Sequence, residues 1–154
     1  MAIEKVISYF EKLGAADKIR QFEVSSATVE LAAQALGCEG ARIAKTLSFL
    51  VDGSAVLVVT AGDMKIDNAK YKAFFHTKAK MLTPEQVDEF IGHSIGGVCP
   101  FAVNDGCKVY LDVSLKRFDI VYPAAGNAAS AIELTPDELE KYSNSLAWID
   151  VCKS

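Results

Sequence analysis

One lysine in this sequence occupies a position where a strand should be apolar, and that position suggests chemistry. Residues 41–53 read ARIAKTLSFLVDG, which predicts a strand that runs into an Asp-Gly turn. Since successive side chains of a strand point to opposite faces, Lys45 shares a row with Leu47 and Phe49. A buried ammonium without a partner is costly in free energy. The pattern therefore favours a cleft with an apolar floor, on which Lys45 binds an anionic ligand such as a phosphate.

Three interpretations without a ligand stay open for Lys45. The side chain could lie at the frayed start of the strand and extend into solvent. It could pair with a buried carboxylate, for which Asp112 in an apolar strand is a candidate. The third interpretation is a different strand register, because a slip of one residue exchanges the two faces.

A glycine-rich segment is the second feature that suggests chemistry. Residues 92–106, GHSIGGVCPFAVNDG, follow neither helical nor strand periodicity. Irregular segments of this length inside a domain are commonly functional. Within it, the adjacent glycines of GGVCP can turn backbone N–H groups toward a ligand, and the proline sets the exit of the turn. Such a turn can stabilise negative charge on a carbonyl oxygen without using a side chain.

Cys99 lies within that turn, and two interpretations compete for it. It could act as a thiol nucleophile with His93 as the base, or it could be a small packing residue. No serine–histidine–acid set can be proposed, because neither His76 nor His93 lies in a recognisable motif. The four cysteines form no C-x-x-C pair, so we expect reduced thiols and no zinc site.

Local signals define the elements that must position these residues. An apolar stripe from Ile3 predicts a helix that stops at Gly14, and Thr28 is a predicted N-cap for a helix that Gly37 ends. The Asp-Gly turn and the apolar SAVLVVTAG after it predict a hairpin. A further helix is predicted over residues 68–75, followed by a short strand near AKML.

Two capping boxes and several extended segments complete the prediction. TPEQ at Thr83 and TPDE at Thr135 each place a capping threonine three residues before Gln or Glu. Between and after them, CKVYLDVSL, DIVYPA, SAIEL and AWIDV are predicted to be extended. Since helices and strands interleave while the hairpin requires antiparallel pairing, the expected class is α/β or α+β with a mixed sheet.

Composition limits the class of protein. The 154 residues fit one domain spanning 1–154, and no apolar run approaches the roughly 20 residues of a membrane helix. Charges interrupt the N-terminal segment, so no signal peptide is expected and the cytoplasm is the expected location. The net charge of −4 disfavours bulk binding to nucleic acid. However, residues 65–80 carry five lysines against one acid, Asp67, which predicts either a solvated helix face or a local site for a single-stranded end.

Five segments, in this order along the chain, resemble the YbaK/EbsC family of stand-alone aminoacyl-tRNA deacylases, which are related to the editing domain of bacterial prolyl-tRNA synthetase. TVELAAQALG is similar to the family's early helix, and IAKTLSFLVDG to its lysine-bearing strand. GGVCPFA resembles the G-x-x-x-P loop, with cysteine where serine is often found. VYLDVSL is similar to the strand with a characteristic aspartate, and AAGNAASAIELTPDEL to the last glycine loop and helix.

This resemblance implies a fold, a reaction and a set of residues. It implies the family's curved, mostly antiparallel mixed sheet with flanking helices, and hydrolysis of the ester of a mischarged tRNA, with Cys- or Ala-tRNA(Pro) as first candidates. No cofactor, metal, membrane or DNA is expected; the implied partners are the aminoacyl-tRNA 3′ end and prolyl-tRNA synthetase. The implied catalytic residues are Lys45, Gly96, Gly97, Val98, Cys99 and Pro100, and the implied substrate-binding residues are Thr28, Thr46, Asp112 and Gly126.

The resemblance also implies how the reaction would proceed. Lys45 would hold the phosphate or terminal adenosine of the tRNA end, and the backbone of residues 96–100 would fix the carbonyl of the amino acid. The ribose hydroxyl and a bound water would replace a general-base side chain. Gly126 is followed by NAASA where basic residues are usual in the family, which leaves the amino acid open. A non-catalytic module that binds a nucleotide or RNA, and a thiol hydrolase, stay open as alternatives.

Overall fold

The computed structural model of the protein describes residues 2–93 and 97–154. Helix α1 (Ala2–Lys12) buries Val6 and Phe10 in the main core, and Gly14 follows it at a φ of 73°. A left-handed φ favours glycine because a Cβ is strained there. The first helix therefore ends where the sequence predicted.

The centre of the molecule is the hairpin of β2 (Ile43–Val51) and β3 (Ser54–Ala61). Asp52 and Gly53 connect the strands with φ values of 51° and 78°. Two positive φ values are the signature of a type I′ turn, which matches the twist of the flanking strands. The register places Lys45 opposite Thr60.

Three further strands extend this hairpin into a sheet with the order β6-β2-β3-β5-β8. They are β5 (Lys108–Asp112), β6 (Tyr122–Pro123) and β8 (Ala147–Ile149). Each of the three pairs in parallel, whereas β2 and β3 are antiparallel. The mixed sheet is thus confirmed: the long hairpin at its centre is antiparallel, and the other three strand pairings are parallel.

Two small sheets lie beside the main one. Strand β1 (Ile19–Gln21) pairs with β7 (Ser130–Ile132), and β4 (Lys65–Ile66) pairs with β9 (Cys152–Lys153), both antiparallel. Both sheets join segments that are distant in sequence. The pairing of β1 with β7 brings the chain just before β7 next to the segment before α2.

The two faces of the hairpin pack against different groups of residues. One face contributes Leu57 and Val59 to the main core, together with α1. The other face contributes Phe49 and Val58 to a second cluster, which α3 (Asn68–Phe75) completes with buried Tyr71. Alternation along a strand requires these two sets to lie on opposite sides of the sheet.

The predicted helix caps are present. The side chain of Thr28 accepts a hydrogen bond from the Leu31 N–H at the start of α2 (Val29–Leu36), which Gly37 ends. Capping boxes start α4 (Pro84–Gln86) and α5 (Pro136–Ser143). The chain after α4 continues as a π-helical stretch over Val87–Ile91, which differs from the predicted regular helix and buries both of its end residues.

One extended prediction ends earlier than expected. CKVYLDVSL forms a strand only up to Asp112, after which Val113–Arg117 is a 3₁₀-helix. The Asp112 carboxylate accepts a hydrogen bond from the Ser114 N–H at 2.9 Å. A side chain that accepts a hydrogen bond from the backbone N–H two residues ahead competes with the strand and turns the chain.

Within the described residues, no helix is both long and apolar enough to cross a membrane.

The capping box of α5 generates a stability prediction. We expect Thr135→Ala to lower the free energy of unfolding by about 1 kcal/mol, because the Glu138 N–H loses its acceptor. Urea unfolding followed by circular dichroism measures this change. Thr135→Ser is the matched control, since it keeps the hydroxyl; an alanine variant as stable as the serine variant would contradict the prediction.

Candidate functional site

A cavity of about 350 Å³ lies between β2, the start of α2 and the segment after α3. Apart from Lys45, its described lining is uncharged, and most of its side chains are small. Five alanines and six hydroxyl-bearing residues contribute, the latter being Ser26, Thr28, Thr46, Ser48, Tyr122 and Ser130. Among the described lining residues there is no histidine, cysteine or carboxylate, and Lys45 is the one ionisable group besides the tyrosine. The cavity therefore suits a small uncharged group with hydrogen-bonding ability.

The cavity lies at an opening in the edge of β2. Strand β6 pairs with Ile43 and Ala44 only, and the segment around Met81 pairs with β2 from Ser48 onward. There the Leu50 N–H donates to the Lys80 carbonyl at 2.8 Å, and the Leu82 N–H donates to the Ser48 carbonyl at 3.2 Å. Between these two pairings, the edge of the strand is open.

Thr46 occupies this opening. The backbone groups of alternate strand residues point to the same edge, so the N–H and C=O of Thr46 point the same way as the Ser48 carbonyl. The Thr46 hydroxyl oxygen is buried, and no hydrogen-bond partner for it is present among the described residues. Since buried polar atoms are normally paired, Thr46 is suited to bind a polar group of a ligand.

The three interpretations without a ligand can be compared with the position of Lys45. It is the third residue of β2 and follows the buried Ile43 and Ala44, so it does not lie at a frayed end. It shares a row with Leu47 and Phe49, which confirms the register. The Asp112 carboxylate does not pair with it, because its oxygens accept from the Ser114 and Val151 N–H groups.

The ammonium of Lys45 donates to the carbonyl of Met64. No ion pair of Lys45 is present in the part of the chain that the structure describes. A carbonyl is a neutral acceptor, so the positive charge is held in place without being neutralised. The charge stays available for an anion, which forms a stronger hydrogen bond with an ammonium than a carbonyl does.

The predicted floor of the cleft is wrong in one respect. The apolar row that contains Lys45 is covered by Tyr71 and Phe75 of α3, so that face of β2 belongs to a core. The cavity is lined by Ala44, Thr46 and Ser48 of the opposite face, and by Ile43 and Lys45 from the start of the predicted row. Lys45 still lines the cavity because it lies at the open edge of the strand, where the two faces meet.

Asp63 is the acidic residue beside this ammonium, and it is already paired. Arg117 donates two hydrogen bonds to its carboxylate, at 3.0 and 2.6 Å. The hydrogen bonds from Arg117 lower the pKa of Asp63, whereas partial desolvation raises it. The positive charge of Lys45 also lowers this pKa. The Asp63 carboxylate near Lys45 is thus already hydrogen-bonded to Arg117.

The glycine-rich loop lies against the last glycine loop. Gly96 falls outside the described residues. Gly97 is buried, and a Cβ placed on it would come within 2.4 Å of the Asn127 backbone, so only glycine allows this contact. Gly126, which precedes Asn127, has a φ of 103°. Val98 lines the cavity, so the described part of the loop reaches it.

The remaining predicted residues occupy mixed positions. Thr28 lines the cavity while its hydroxyl caps α2. Pro100 is buried and lines a separate cavity of about 250 Å³ together with Tyr9 and Asn104. Asp112 is buried and is absent from the described lining of the main cavity. The structure therefore brings Thr28, Lys45, Thr46 and Val98 together and places Asp112 in a supporting turn.

Cys99 and His93 are in contact, but the geometry does not activate the thiol. The Cys99 sulfur lies 3.6 Å from His93 Nε2, which also lies 2.8 Å from the Phe101 carbonyl oxygen. A carbonyl only accepts, so Nε2 carries the proton and cannot take one from the thiol. Burial raises the pKa of Cys99 to about 12 and lowers that of His93. These features favour the packing interpretation over the nucleophile.

Two lining residues, Ser26 and Ser130, carry no recognisable motif. The Ser26 hydroxyl accepts from the Ser130 N–H at 3.0 Å, although the two residues lie 104 positions apart. The Ser130 hydroxyl in turn accepts from the Ala125 N–H at 3.1 Å. Only the pairing of β1 with β7 brings these segments together, so no local signal could have identified them.

The lysine-rich segment reaches the mouth of the cavity. Met81 and Leu82, which follow Lys80, both line it, and Met81 is 56% exposed. Lys78 and Lys80 are exposed, and no ion pair for them is present among the described residues. Lys70, in contrast, pairs with Asp150 at 3.0 Å. The later part of the segment is thus an accessible basic approach to the cavity.

The burial of Cys99 generates a reactivity prediction. At pH 8, we expect iodoacetamide to alkylate Cys99 in the folded protein at least about tenfold more slowly than the half-buried Cys38, because the attacking species is the thiolate. Peptide mass spectrometry over a time course measures both rates in one sample. In urea the two rates should converge; rapid labelling of Cys99 in the folded protein would restore the nucleophile hypothesis.

Comparisons with known proteins give a consistent result. The family model described as the aminoacyl-tRNA editing domain matches residues 23–142. YwhH of Bacillus subtilis, an uncharacterised protein, is 53% identical over 154 residues, which are 99% of this chain and 98% of YwhH. EbsC of Enterococcus faecalis, named as a candidate Cys-tRNA(Pro)/Cys-tRNA(Cys) deacylase, is 28% identical over 119 residues, or 76% of this chain and 73% of EbsC.

A solved structure extends the similarity to the whole fold. The crystal structure of a candidate trans-editing enzyme for prolyl-tRNA synthetase superimposes with a TM-score of 0.89 at 29% sequence identity. The match covers 99% of this chain and 98% of that one.

Proposed function

Because the chain belongs to the aminoacyl-tRNA editing domain family, we propose that it is a trans-editing deacylase that hydrolyses the ester of a mischarged tRNA. The resemblance seen in the sequence is confirmed by this family membership. The reaction adds one water across the ester and yields the free amino acid and the 3′-terminal hydroxyl of the tRNA. The observation that carries the proposal is the cavity at the open edge of β2, whose described lining is uncharged except for Lys45, an ammonium that donates to a carbonyl and not to a carboxylate.

The amino acid side chain would occupy the cavity. Alanine and hydroxyl-bearing side chains make up most of its described lining, which leaves room for a small side chain and offers no carboxylate to a cationic one. Cys-tRNA(Pro) and Ala-tRNA(Pro) are therefore the first candidates, and the name of EbsC supports the former. Thr46 would bind a polar group of the aminoacyl moiety through its free hydroxyl and strand edge.

Lys45 would bind the anionic part of the tRNA end. Its ammonium would exchange the Met64 carbonyl for a phosphate oxygen, a charge-assisted hydrogen bond. The approach along Lys78 and Lys80 would guide the single-stranded end to the cavity. Such contacts weaken with salt, since they release counterions from the RNA.

The chemical step would depend on positioning. The described lining offers no carboxylate, histidine or thiol as a general base. The ribose hydroxyl beside the ester and a bound water would supply the proton transfer, and the backbone of the loop that contains Gly97 and Val98 would fix the ester carbonyl. Prolyl-tRNA synthetase as a protein partner and a cytoplasmic location belong to the same proposal.

A deacylation panel tests the proposal. We expect release of amino acid from Cys- or Ala-tRNA(Pro), measured with radiolabelled aminoacyl-tRNA, at a rate well above that in buffer, and little release from Pro-tRNA(Pro). Lys45→Ala should reduce kcat/KM by about tenfold or more, because a charge-assisted hydrogen bond is lost. Lys12→Ala, at an exposed position of α1, is the matched control.

Two results would contradict this function. If no member of the panel is hydrolysed faster than in buffer while the tRNA still binds, the protein is a binding module. If Lys45→Ala keeps full activity, the proposed role of the ammonium is wrong even when the enzyme is active.

The free hydroxyl of Thr46 provides a separate test. We expect Thr46→Val to lower kcat/KM by roughly three- to tenfold, because valine has a similar shape but cannot form a hydrogen bond. Thr46→Ser keeps the hydroxyl and should stay close to the wild type. Steady-state kinetics on the best substrate of the panel compare the variants; equal rates for valine and serine would exclude a role for the hydroxyl.

A further inference from the structure

We propose that Arg117 is a positioning residue that keeps the Asp63 carboxylate away from Lys45, so that the ammonium stays available to the substrate. The inference rests on the proposed function, because it concerns the lysine that would bind the tRNA end. It assigns a role to an ion pair outside the cavity lining.

Arg117 is held in a defined orientation. It is the last residue of the 3₁₀-helix Val113–Arg117, and its Nε donates to the Ser114 carbonyl at 2.9 Å. Its guanidinium lies 4.9 Å from the centre of the Phe118 ring. Both terminal nitrogens donate to Asp63, at 3.0 and 2.6 Å. Bidentate geometry of this kind gives both affinity and orientation, which a single contact does not.

Asp63 is adjacent in the chain to the residue that holds the ammonium. The carbonyl that accepts from Lys45 belongs to Met64, the next residue. The hydrogen bonds from Arg117 lower the pKa of Asp63 most, and the positive charge of Lys45 lowers it further. A carboxylate in this position is a better acceptor for an ammonium than a carbonyl oxygen is.

The charges in this group determine whether the ammonium is free. Two cations, Lys45 and Arg117, lie near Asp63, and the guanidinium of Arg117 is the one that is hydrogen-bonded to its carboxylate. The other nearby carboxylate, Asp112, is buried and accepts from backbone N–H groups. Without Arg117, the Asp63 carboxylate would pair with Lys45 and compete with the phosphate of the substrate.

A double-mutant cycle tests this role through rescue. We expect Arg117→Gln to lower kcat/KM about fivefold, mainly through a higher KM, since an exposed ion pair of this kind is worth up to about a factor of five. Asp63→Asn should behave like the wild type, and the double variant Asp63→Asn/Arg117→Gln should regain most of the activity. Rescue shows that the freed Asp63 carboxylate, and not the missing guanidinium, causes the loss; equal unfolding midpoints of the variants in urea would exclude a general loss of stability.

Arg42→Gln is the matched control. Arg42 also pairs with an aspartate, Asp119, at 3.2 Å and also lies over Phe118, at 5.1 Å. Its removal should leave kcat/KM unchanged. Unchanged kcat/KM in Arg117→Gln, or a double variant as slow as Arg117→Gln, would overturn the inference.

A second readout does not depend on catalysis. Acetic anhydride acetylates free amines, and peptide mass spectrometry gives the rate at Lys45 relative to the exposed Lys12 in the same sample. We expect a severalfold slower rate at Lys45 in Arg117→Gln and a return to the wild-type rate in the double variant. Equal Lys45 rates in all variants would overturn the inference. If the wild type hydrolyses no substrate but its labelling follows this pattern, the proposed function fails and the role of Arg117 stands.

Discussion

The site depends on one electrostatic arrangement, an ammonium that is positioned but not neutralised. Lys45 precedes Leu47 and Phe49 on one face of β2, and these two side chains pack into a core. Its ammonium donates to a carbonyl oxygen, and the carboxylate of Asp63, the residue before that carbonyl, is bonded to a guanidinium. A charge held in this way keeps its attraction for an anion, because no internal ion pair has to be broken first.

The cavity itself results from an interruption in strand pairing. Strand β2 changes neighbour along its length, from β6 at Ala44 to the Met81 segment at Ser48. The residue between these points, Thr46, has backbone and side-chain groups free to bind a ligand among the residues described. Edge groups are usually a liability for aggregation. Here the surrounding α2 and the loops restrict access to a small group.

Close backbone contact explains why glycine occupies the loop at this site. Gly97 packs against Asn127 at a distance that excludes a Cβ, so two loops that are far apart in sequence are in close backbone contact. Cys99, two residues further along the loop, is fully buried, and its thiol stays neutral because burial raises its pKa. Within the described part of the loop, Gly97 and Cys99 therefore serve packing, and Val98 lines the cavity.

Local features of this protein follow from the sequence by itself, and those that depend on distant contacts do not. The hairpin, the helix over residues 68–75 and both capping boxes are determined by neighbours within a few residues, because turns and caps are local hydrogen-bonding problems. The sequence also identifies Lys45 as a charged residue in an otherwise apolar row, since the alternation of side chains along a strand is a local pattern. Only the tertiary structure decided that α3 covers the face of Lys45, that the cavity opens on the face of Thr46, and that Arg117 holds Asp63 across 54 positions. These features depend on which elements pack together, and a strand pattern specifies two faces without specifying what covers each one.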